Sequence, residues 1–280
     1  MTRVLITGAG GQVGRALVDA FADTGCDVVA ADRAALDVGS RDVAVGAITA
    51  LRPDVIIHAA AWTEVDACES DPDRAYRVNA LGTRHVADGA RRVGAHLVAI
   101  STDYVFDGRT DRPYLEWDPC NPLSVYGRSK RAGELEVDSG AAIVRTTWVF
   151  GRDAGVVPAV LRLAAEGAPL RFVSDQRACP TFVDDLAPAV RDLALTRRPG
   201  TFHVTNQGAT TPLDLARETL RLAGEDPARV VPVTSQELAR PAPRPARSDL
   251  DNAALRLSGL PLLPDHRESL ERLVKELVAS

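Results

Sequence analysis

Short apolar runs alternate with longer amphipathic segments along the first 150 residues of the chain. We predict that the apolar runs are strands, at residues 3–7, 27–31, 55–58, 97–101 and 142–146. Helical spacing of apolar residues predicts helices between them, at 15–24, 43–51, 74–93 and 126–137. Strands that alternate with helices form parallel sheets, and uninterrupted apolar strands suit a sheet covered on both faces. The pattern therefore predicts an α/β fold with a doubly wound parallel sheet of the Rossmann type.

The pattern becomes less regular beyond residue 151. It still predicts two strands, at 170–173 and 201–205, and four helices, at 156–166, 182–195, 213–223 and 268–278. Several prolines interrupt regular structure in the segment that contains Arg240, Arg244 and Arg247. We expect this segment to form loops that line a cleft.

Composition and charge exclude several classes of protein. Of the 280 residues, 45% are apolar and 25% are charged, which is typical of a globular domain. A net charge of −5 without a long run of like charge gives no electrostatic footprint for nucleic acid or a membrane surface. No apolar run reaches the length of about 18 residues that a membrane span needs. The N-terminus lacks a signal-peptide cleavage site, the four cysteines are widely spaced, and the five histidines show no ligand spacing. We expect a cytoplasmic protein with reduced cysteines and no metal site.

A glycine triplet follows the first predicted strand. Gly8, Gly11 and Gly14 form a GxxGxxG pattern that leads into the first predicted helix. Such a loop lets backbone N–H groups and the start of the helix approach a pyrophosphate. Asp32, at the end of the second strand, has the position of an acidic residue that binds the adenosine ribose. The alternative is a glycine-rich turn with no ligand.

The second motif is a tyrosine and a lysine four residues apart. Tyr126 and Lys130 share one face of a predicted helix. A nearby ammonium favours the phenolate, so we expect the tyrosine to act as an acid or base near neutral pH. A surface pair is the default interpretation of this spacing. However, the chain has only two lysines, Lys130 and Lys275, against 31 arginines, which indicates that arginine cannot replace Lys130.

The third motif, residues 101–108, follows the fourth predicted strand. Ligands of open α/β sheets lie beyond the carboxyl ends of the strands, where the Thr102 hydroxyl can bind a substrate carbonyl. Taken together, we predict a dinucleotide-binding domain at 1–150, completed by about 174–205. Residues 151–173 and 206–280 then form a smaller, interleaved C-terminal domain that binds the substrate.

These motifs resemble the extended short-chain dehydrogenase/reductases, and most closely their dTDP-4-dehydrorhamnose reductase family. The resemblance covers nearly the whole chain and includes segments beyond the tyrosine and lysine that are more specific than the motifs themselves. The matching segments are 8–14, 52–56, 59–63, 65–66, 78–80, 101–108, 126–134, 145–149, 175–176, 180–181, 185–187, 244–245, Ser248 and Leu250.

The resemblance implies a role for residues along the cofactor. Its pyrophosphate is expected at Gly11, Gln12 and Val13, its adenosine ribose at Asp32 and Arg33, its adenine near Asp37 and Val38, and its nicotinamide side at Ala61, Trp62 and Thr63. Asp32 suits NADH, whereas Arg33 can pair with the 2′-phosphate of NADPH, so we expect both cofactors to be used.

The resemblance also implies the catalytic and substrate-binding residues. Tyr126 is expected to donate a proton, Lys130 to bind the nicotinamide ribose, and Thr102, Asp103 and Trp148 to contact the sugar nucleotide. Asn79 is either a tether between helix and sheet or a member of a proton relay. Two features depart from the family: Trp62 is bulky where several relatives have Tyr or His, and the C-terminal glutamates Glu268, Glu271 and Glu276 are better explained as a solvated helix face than as metal ligands.

The implied activity is NAD(P)H-dependent reduction of the C4 keto group of a dTDP-4-keto-6-deoxysugar, with dTDP-4-dehydro-β-L-rhamnose as the first choice. One alternative is a reductase of another dTDP-keto sugar in an antibiotic pathway, such as a dihydrostreptose-forming enzyme. Another is a non-catalytic NADP-binding subunit that is similar to the regulatory β subunit of methionine adenosyltransferase. We expect a monomer or homodimer that binds neither nucleic acid nor membrane.

Overall fold

The computed structural model describes residues 1–279 of the chain. These residues contain ten strands: β1 (Arg3–Thr7), β2 (Asp27–Ala31), β3 (Val55–His58), β4 (His96–Thr102), β5 (Ala142–Thr146), β6 (Val149–Phe150), β7 (Leu170–Val173), β8 (Thr181–Phe182), β9 (Gly200–His203) and β10 (Val230–Val233). They also contain twelve α-helices: α1 (Gln12–Ala20), α2 (Arg41–Leu51), α3 (Val65–Ser70), α4 (Pro72–Ala75), α5 (Gly82–Val93), α6 (Val125–Glu134), α7 (Val156–Ala165), α8 (Val183–Leu195), α9 (Pro212–Leu222), α10 (Ser235–Leu238), α11 (Ala253–Leu257) and α12 (His266–Ala279).

Six parallel strands form the main sheet in the order β2-β1-β3-β4-β5-β9. Strand order reverses between β1 and β3, because the chain moves from β1 to one edge and from β3 to the other. Ligands of such sheets bind beyond the carboxyl ends of the strands at this point. The sheet confirms the predicted Rossmann-type fold and places the glycine triplet beside the residues that follow β3.

Both faces of the sheet are buried. Successive side chains of β1 alternate, so that Val4 and Ile6 join the core formed with α1 and α8, while Leu5 joins the core formed with α2 and α5. All three are fully buried, which contributes about 1.5–3 kcal/mol for each side chain. This double coverage explains the uninterrupted apolar runs in the sequence.

The C-terminal half contributes two further small sheets, in which β7 pairs with β10 and β6 pairs with β8. Helices α7, α9 and α12 pack around them. The domain division stays a prediction. Assignment of residues 174–205 to the first domain is supported by β9, which extends the main sheet, and by α8, which covers one of its faces.

The predicted helix at 74–93 differs from the structure. It consists of α4, a π-helical turn at Tyr76–Leu81, and α5. The Asn79 carbonyl within this turn accepts a hydrogen bond from the Thr83 hydroxyl at 2.7 Å. This side-chain bond competes with the regular backbone ladder, and π turns of this kind are frequent at functional sites.

Several predicted elements also end at other residues, such as the helix predicted at 15–24, which spans Gln12–Ala20, and the helix predicted at 126–137, which spans Val125–Glu134. Other differences are short elements that the sequence analysis did not predict. They are α3, α10 and α11 and the strands β6, β8 and β10, none longer than six residues. Such elements are too short to show a repeated apolar period. Within residues 1–279, no helix has the length and apolar character needed to cross a membrane.

We predict that Gly14→Ala destabilises the fold, because a Cβ at this position would lie 2.2 Å from the Gly8 carbonyl oxygen. Backbone must then move, at a cost of at least about 1–3 kcal/mol in the free energy of unfolding. Thermal unfolding measures this loss. Gly46→Ala is the control, since a Cβ there meets nothing within 4 Å and alanine favours a helix by about 0.5–1 kcal/mol. Equal melting temperatures for the two variants would contradict the prediction.

Candidate active site

Three adjoining cavities form one cleft along the carboxyl edge of the main sheet. The glycine-loop cavity, of about 490 Å³, extends from the GxxGxxG loop to Val38. The Tyr126 cavity, of about 410 Å³, shares Gly11, Ala59 and Ala61 with it. The arginine cavity, of about 640 Å³, contains Arg171, Arg240 and Arg244 and meets the Tyr126 cavity at Tyr104 and Trp148. An elongated ligand can therefore extend through all three.

The glycine loop lets backbone segments and a ligand approach it closely, because it carries no side chains at its glycines. Gly8 has a φ of +70°, and a Cβ there would lie 2.6 Å from the Ala60 backbone. Gly11 donates its N–H to the Gly8 carbonyl at 2.9 Å and precedes the first residue of α1. The free N–H groups at the start of a helix attract anions, so this loop fits the pyrophosphate of a dinucleotide.

All the residues expected at the cofactor line the first two cavities. The glycine-loop cavity is lined by Gly8, Gly11, Asp32, Arg33, Asp37, Val38, Ala61 and Trp62. The Tyr126 cavity is lined by Gln12, Val13, Gly14, Thr63, Tyr126 and Lys130, together with Gly11 and Ala61. Each assignment to a part of the cofactor remains a prediction.

Three elements bring the expected catalytic residues together. Tyr126 and Lys130 lie one turn apart on α6, which the Ser124 hydroxyl caps by accepting the Gly127 N–H at 3.1 Å. Thr102 ends β4, and its hydroxyl forms a hydrogen bond with the Tyr126 phenol. All three side chains line the same cavity.

Burial shifts the pKa values of both Tyr126 and Lys130. The Lys130 ammonium donates a hydrogen bond to the Ile100 carbonyl at 2.7 Å, and burial lowers its pKa to about 8, while Glu134 acts in the opposite direction. Burial also raises the pKa of Tyr126, against the effect of the Thr102 hydrogen bond. The effect of Lys130 on the Tyr126 phenolate stays a prediction, because loss of hydration dominates the pKa of Tyr126 in this structure. Tyr126 is protonated at neutral pH and is suited to act as an acid.

Asp103 is a buried carboxyl group beside Thr102. It accepts hydrogen bonds from the Thr102 hydroxyl at 3.0 Å and from the Ser248 hydroxyl at 2.5 Å. Burial raises its pKa to about 6, and the Ser248 hydrogen bond opposes this rise. Since Thr102 has a single hydroxyl proton, Asp103 competes for it with any acceptor in the cavity.

Asn79 and His58 lie behind the cavities. The Asn79 side chain accepts the Trp62 N–H at 2.8 Å and donates to the Trp62 carbonyl at 3.1 Å and to Ser129 at 3.0 Å. The His58 ring bonds Thr7 at 2.8 Å and Thr83 at 3.2 Å. Burial lowers the His58 pKa to about 3, so the ring is neutral and belongs to the support of the site.

The arginine cavity only partly matches the expected arginine loops. Arg240 and Arg244 line it, whereas Arg247 instead pairs with Asp249 at 2.7 Å. Arg244 forms a bidentate ion pair with Asp66 at 2.9 Å, which joins this loop to α3. The expected contact residue Trp148 lies between this cavity and the Tyr126 cavity and has a φ of +40°. Such a backbone conformation is costly for a bulky residue and often marks a ligand site.

The C-terminal glutamates do not gather around a common point. Glu271 pairs with Lys275 at 2.6 Å, and Glu276 pairs with Arg152 at 2.7 Å. Among residues 1–279, no group of three or more His, Cys, Asp or Glu side chains is arranged to hold a metal ion.

Comparisons with known proteins agree with this geometry. The family model of the RmlD substrate binding domain matches residues 1–279. The chain is 44% identical to a dTDP-4-dehydrorhamnose reductase of Streptomyces griseus, over 96% of this chain and 91% of that protein. It is 40% identical to a probable dTDP-4,6-dihydroxy-2-methyloxan-3-one 4-ketoreductase of Streptomyces antibioticus, over 99% of this chain and 96% of that protein.

The fold matches a solved relative equally well. The crystal structure of dTDP-4-dehydrorhamnose reductase from Bacillus anthracis in complex with NADP has a TM-score of 0.94 and 36% identity, over 99% of this chain and 100% of that one. The chain belongs to the RmlD family.

Two supporting residues of this RmlD-family site were missed in the sequence. Glu134 lies four residues after Lys130, a spacing that could have revealed it. Its buried carboxylate accepts hydrogen bonds from Ser101 at 2.6 Å and from Arg145 at 2.8 and 2.9 Å. Arg74, which lines the glycine-loop cavity, gave no signal, because it is one of 31 arginines.

We predict that kcat/KM falls above about pH 8. The Lys130 pKa is lowered to about 8, so the ammonium is present below this pH and is lost as the pH rises through it. Glu134→Gln removes the charge that opposes this shift, so the alkaline limb moves to lower pH. A pH–rate profile measures both effects.

Glu136→Gln is the control for this profile. Glu136 forms an exposed ion pair with Arg84 at 2.6 Å and lies two residues from Glu134. The alkaline limb of the Glu136→Gln variant should coincide with that of the unmodified protein. An unchanged limb in Glu134→Gln would show that Lys130 does not determine it.

Proposed function

We propose that this chain is an NAD(P)H-dependent reductase of the C4 keto group of a dTDP-4-keto-6-deoxysugar. The observation that carries this proposal is the meeting of Thr102, Tyr126 and Lys130 in the cavity between the glycine loop and the arginine cavity. The names of the relatives point to the same class of substrate.

Each cavity suits one part of the reaction. The glycine-loop cavity holds the adenosine half of the cofactor, whose nicotinamide supplies a hydride when bound. In the Tyr126 cavity, Tyr126 donates its phenolic proton to the sugar carbonyl oxygen as negative charge develops there. Thr102 stabilises the same oxygen by donating a hydrogen bond to it, once its hydroxyl has rotated away from the Asp103 carboxylate that it faces in this structure. Lys130 provides positive charge near Tyr126 and binds the nicotinamide ribose after release from the Ile100 carbonyl.

The arginine cavity suits the nucleotide part of the substrate. Arg171 and Arg240 supply cations for a diphosphate, and Tyr104, Trp148 and Phe172 supply aromatic surface for the sugar and base. Arg244 is held by Asp66 and fixes the loop rather than offering a free charge.

We propose dTDP-4-dehydro-β-L-rhamnose as the substrate, with dTDP-L-rhamnose as product, in the cytoplasm and as a monomer or homodimer. The relative from Streptomyces antibioticus makes a different dTDP-keto sugar the second candidate. A panel of dTDP-4-keto sugars, with NAD(P)H oxidation followed by absorbance and products identified by NMR, tests both. Binding of NADP without turnover on any of these sugars would instead support a regulatory subunit.

We predict that Tyr126→Phe lowers kcat by about 10²–10⁴-fold, the usual effect of losing a general acid. Phenylalanine keeps the buried ring of Tyr126 and its edge-to-face contact with Tyr104, so the variant should fold normally. Cofactor binding, measured by calorimetry, should be retained. A variant with unchanged kcat would exclude Tyr126 as the proton donor.

We also predict that Lys130→Arg folds but loses at least about tenfold in kcat/KM. The guanidinium is larger and planar, so it cannot replace a buried ammonium that donates to the Ile100 carbonyl at 2.7 Å. Lys275→Arg is a matched control, because that side chain is 73% exposed and forms a surface ion pair with Glu271. If both variants were equally active, the scarcity of lysine would carry no information about the site.

A further inference from the structure

The glycine-loop cavity contains a second arginine that no motif accounts for. The guanidinium carbon of Arg74 lies 4.3 Å from the centre of the Trp62 ring, in a cation–π arrangement. Both residues line the cavity together with Arg33.

Arg74 is held in place from two sides. Its backbone N–H donates to the Asp71 side chain at 3.0 Å, which caps the start of α4. The Trp62 backbone beneath it is fixed by two hydrogen bonds with Asn79, at 2.8 and 3.1 Å. Asp71 thus fixes the backbone of Arg74, and the Trp62 ring restricts its guanidinium before any ligand arrives, which reduces the entropy lost on binding.

The two arginines of this cavity form no ion pair with its carboxylates. In the part of the chain that the structure describes, the ion pairs and hydrogen bonds leave the Arg33 and Arg74 guanidinium groups without a carboxylate partner. The two carboxylates in the cavity instead accept hydrogen bonds from backbone N–H groups within their own turns. Asp32 accepts the Ala35 N–H at 2.9 Å, and Asp37 accepts the Gly39 N–H at 3.0 Å. Two unpaired guanidinium groups in one cavity suit a phosphate group, which arginine binds through paired hydrogen bonds.

We propose that Arg74, held on the Trp62 ring, is a phosphate-binding residue for the cofactor and acts together with Arg33. This inference rests on the use of a nicotinamide dinucleotide in the proposed function, but not on the identity of the sugar. The phosphate has two sources: the pyrophosphate, which NADPH and NADH share, and the 2′-phosphate, which only NADPH carries.

The test is equilibrium binding of NADP⁺ and NAD⁺ to Arg74→Met, measured by calorimetry at low ionic strength and without sugar. Methionine retains an apolar stem over the Trp62 ring and removes the charge. Loss of a charge-assisted hydrogen bond should raise the Kd about tenfold or more. A loss for NADP⁺ alone assigns Arg74 to the 2′-phosphate, and an equal loss for both cofactors assigns it to the pyrophosphate.

Arg92→Met is the matched control. Arg92 is an exposed arginine on α5 that lines none of the three cavities of the cleft, and its loss changes the net charge equally. If Arg74→Met bound both cofactors as tightly as Arg92→Met, the proposal would be overturned. Melting temperatures of the two variants separate a folding defect from a binding defect.

Two further variants keep the proposal testable if Arg74→Met unfolds. Arg74→Lys retains the charge without the planar fork, and Trp62→Phe retains a ring that attracts cations less strongly. Each should weaken binding of the same cofactor as Arg74→Met, but by a smaller factor. Normal cofactor affinity in both would also contradict the role of Arg74. Because no sugar is present, absence of sugar reduction would leave this result unaffected.

Discussion

The Glu134 carboxylate holds the catalytic helix against the sheet. It accepts hydrogen bonds from Ser101 on β4, from Arg145 on β5 and from Arg131 on its own helix. Ser101 and Arg145 lie opposite each other in the paired strands. These contacts fix the end of α6, while Lys130, one turn earlier, donates to Ile100 on β4. Removing one partner of a buried ion pair typically costs about 3–5 kcal/mol, so this pair strongly constrains the position of the helix.

Burial from solvent also determines the protonation states of the site. Burial lowers the pKa values of Lys130 and His58 and raises those of Tyr126 and Asp103. In every case the neutral form gains. Only Lys130 has a nearby carboxylate, Glu134, that acts against this trend. A neutral phenol next to an ammonium of lowered pKa is the state that a proton donor needs before its reaction.

Much of this arrangement could be predicted, because two kinds of signal act locally. The alternation of apolar runs determines the parallel sheet, and the spacing of Gly8, Gly11 and Gly14 and of Tyr126 and Lys130 reflects neighbours on one turn or helix. Contacts between segments that are distant in the chain produce no regular spacing in the sequence. Asp103 meets Ser248 across 145 residues, and Asp66 meets Arg244 across 178. The rise in the Tyr126 pKa could not be predicted for the same reason, since burial is a property of the folded chain.

Asn79 shows how the cofactor wall and the catalytic helix depend on each other. Its oxygen and both amide hydrogens are engaged, with the Trp62 backbone and with the Ser129 hydroxyl. Ser129 lies between Tyr126 and Lys130 on α6, and Trp62 carries the ring on which Arg74 rests. A neutral amide whose two hydrogens are both donated to fixed acceptors is poorly suited to relay a proton, so these contacts favour the tether over the relay. The π-helical turn that contains Asn79 places this one side chain against both walls of the cleft.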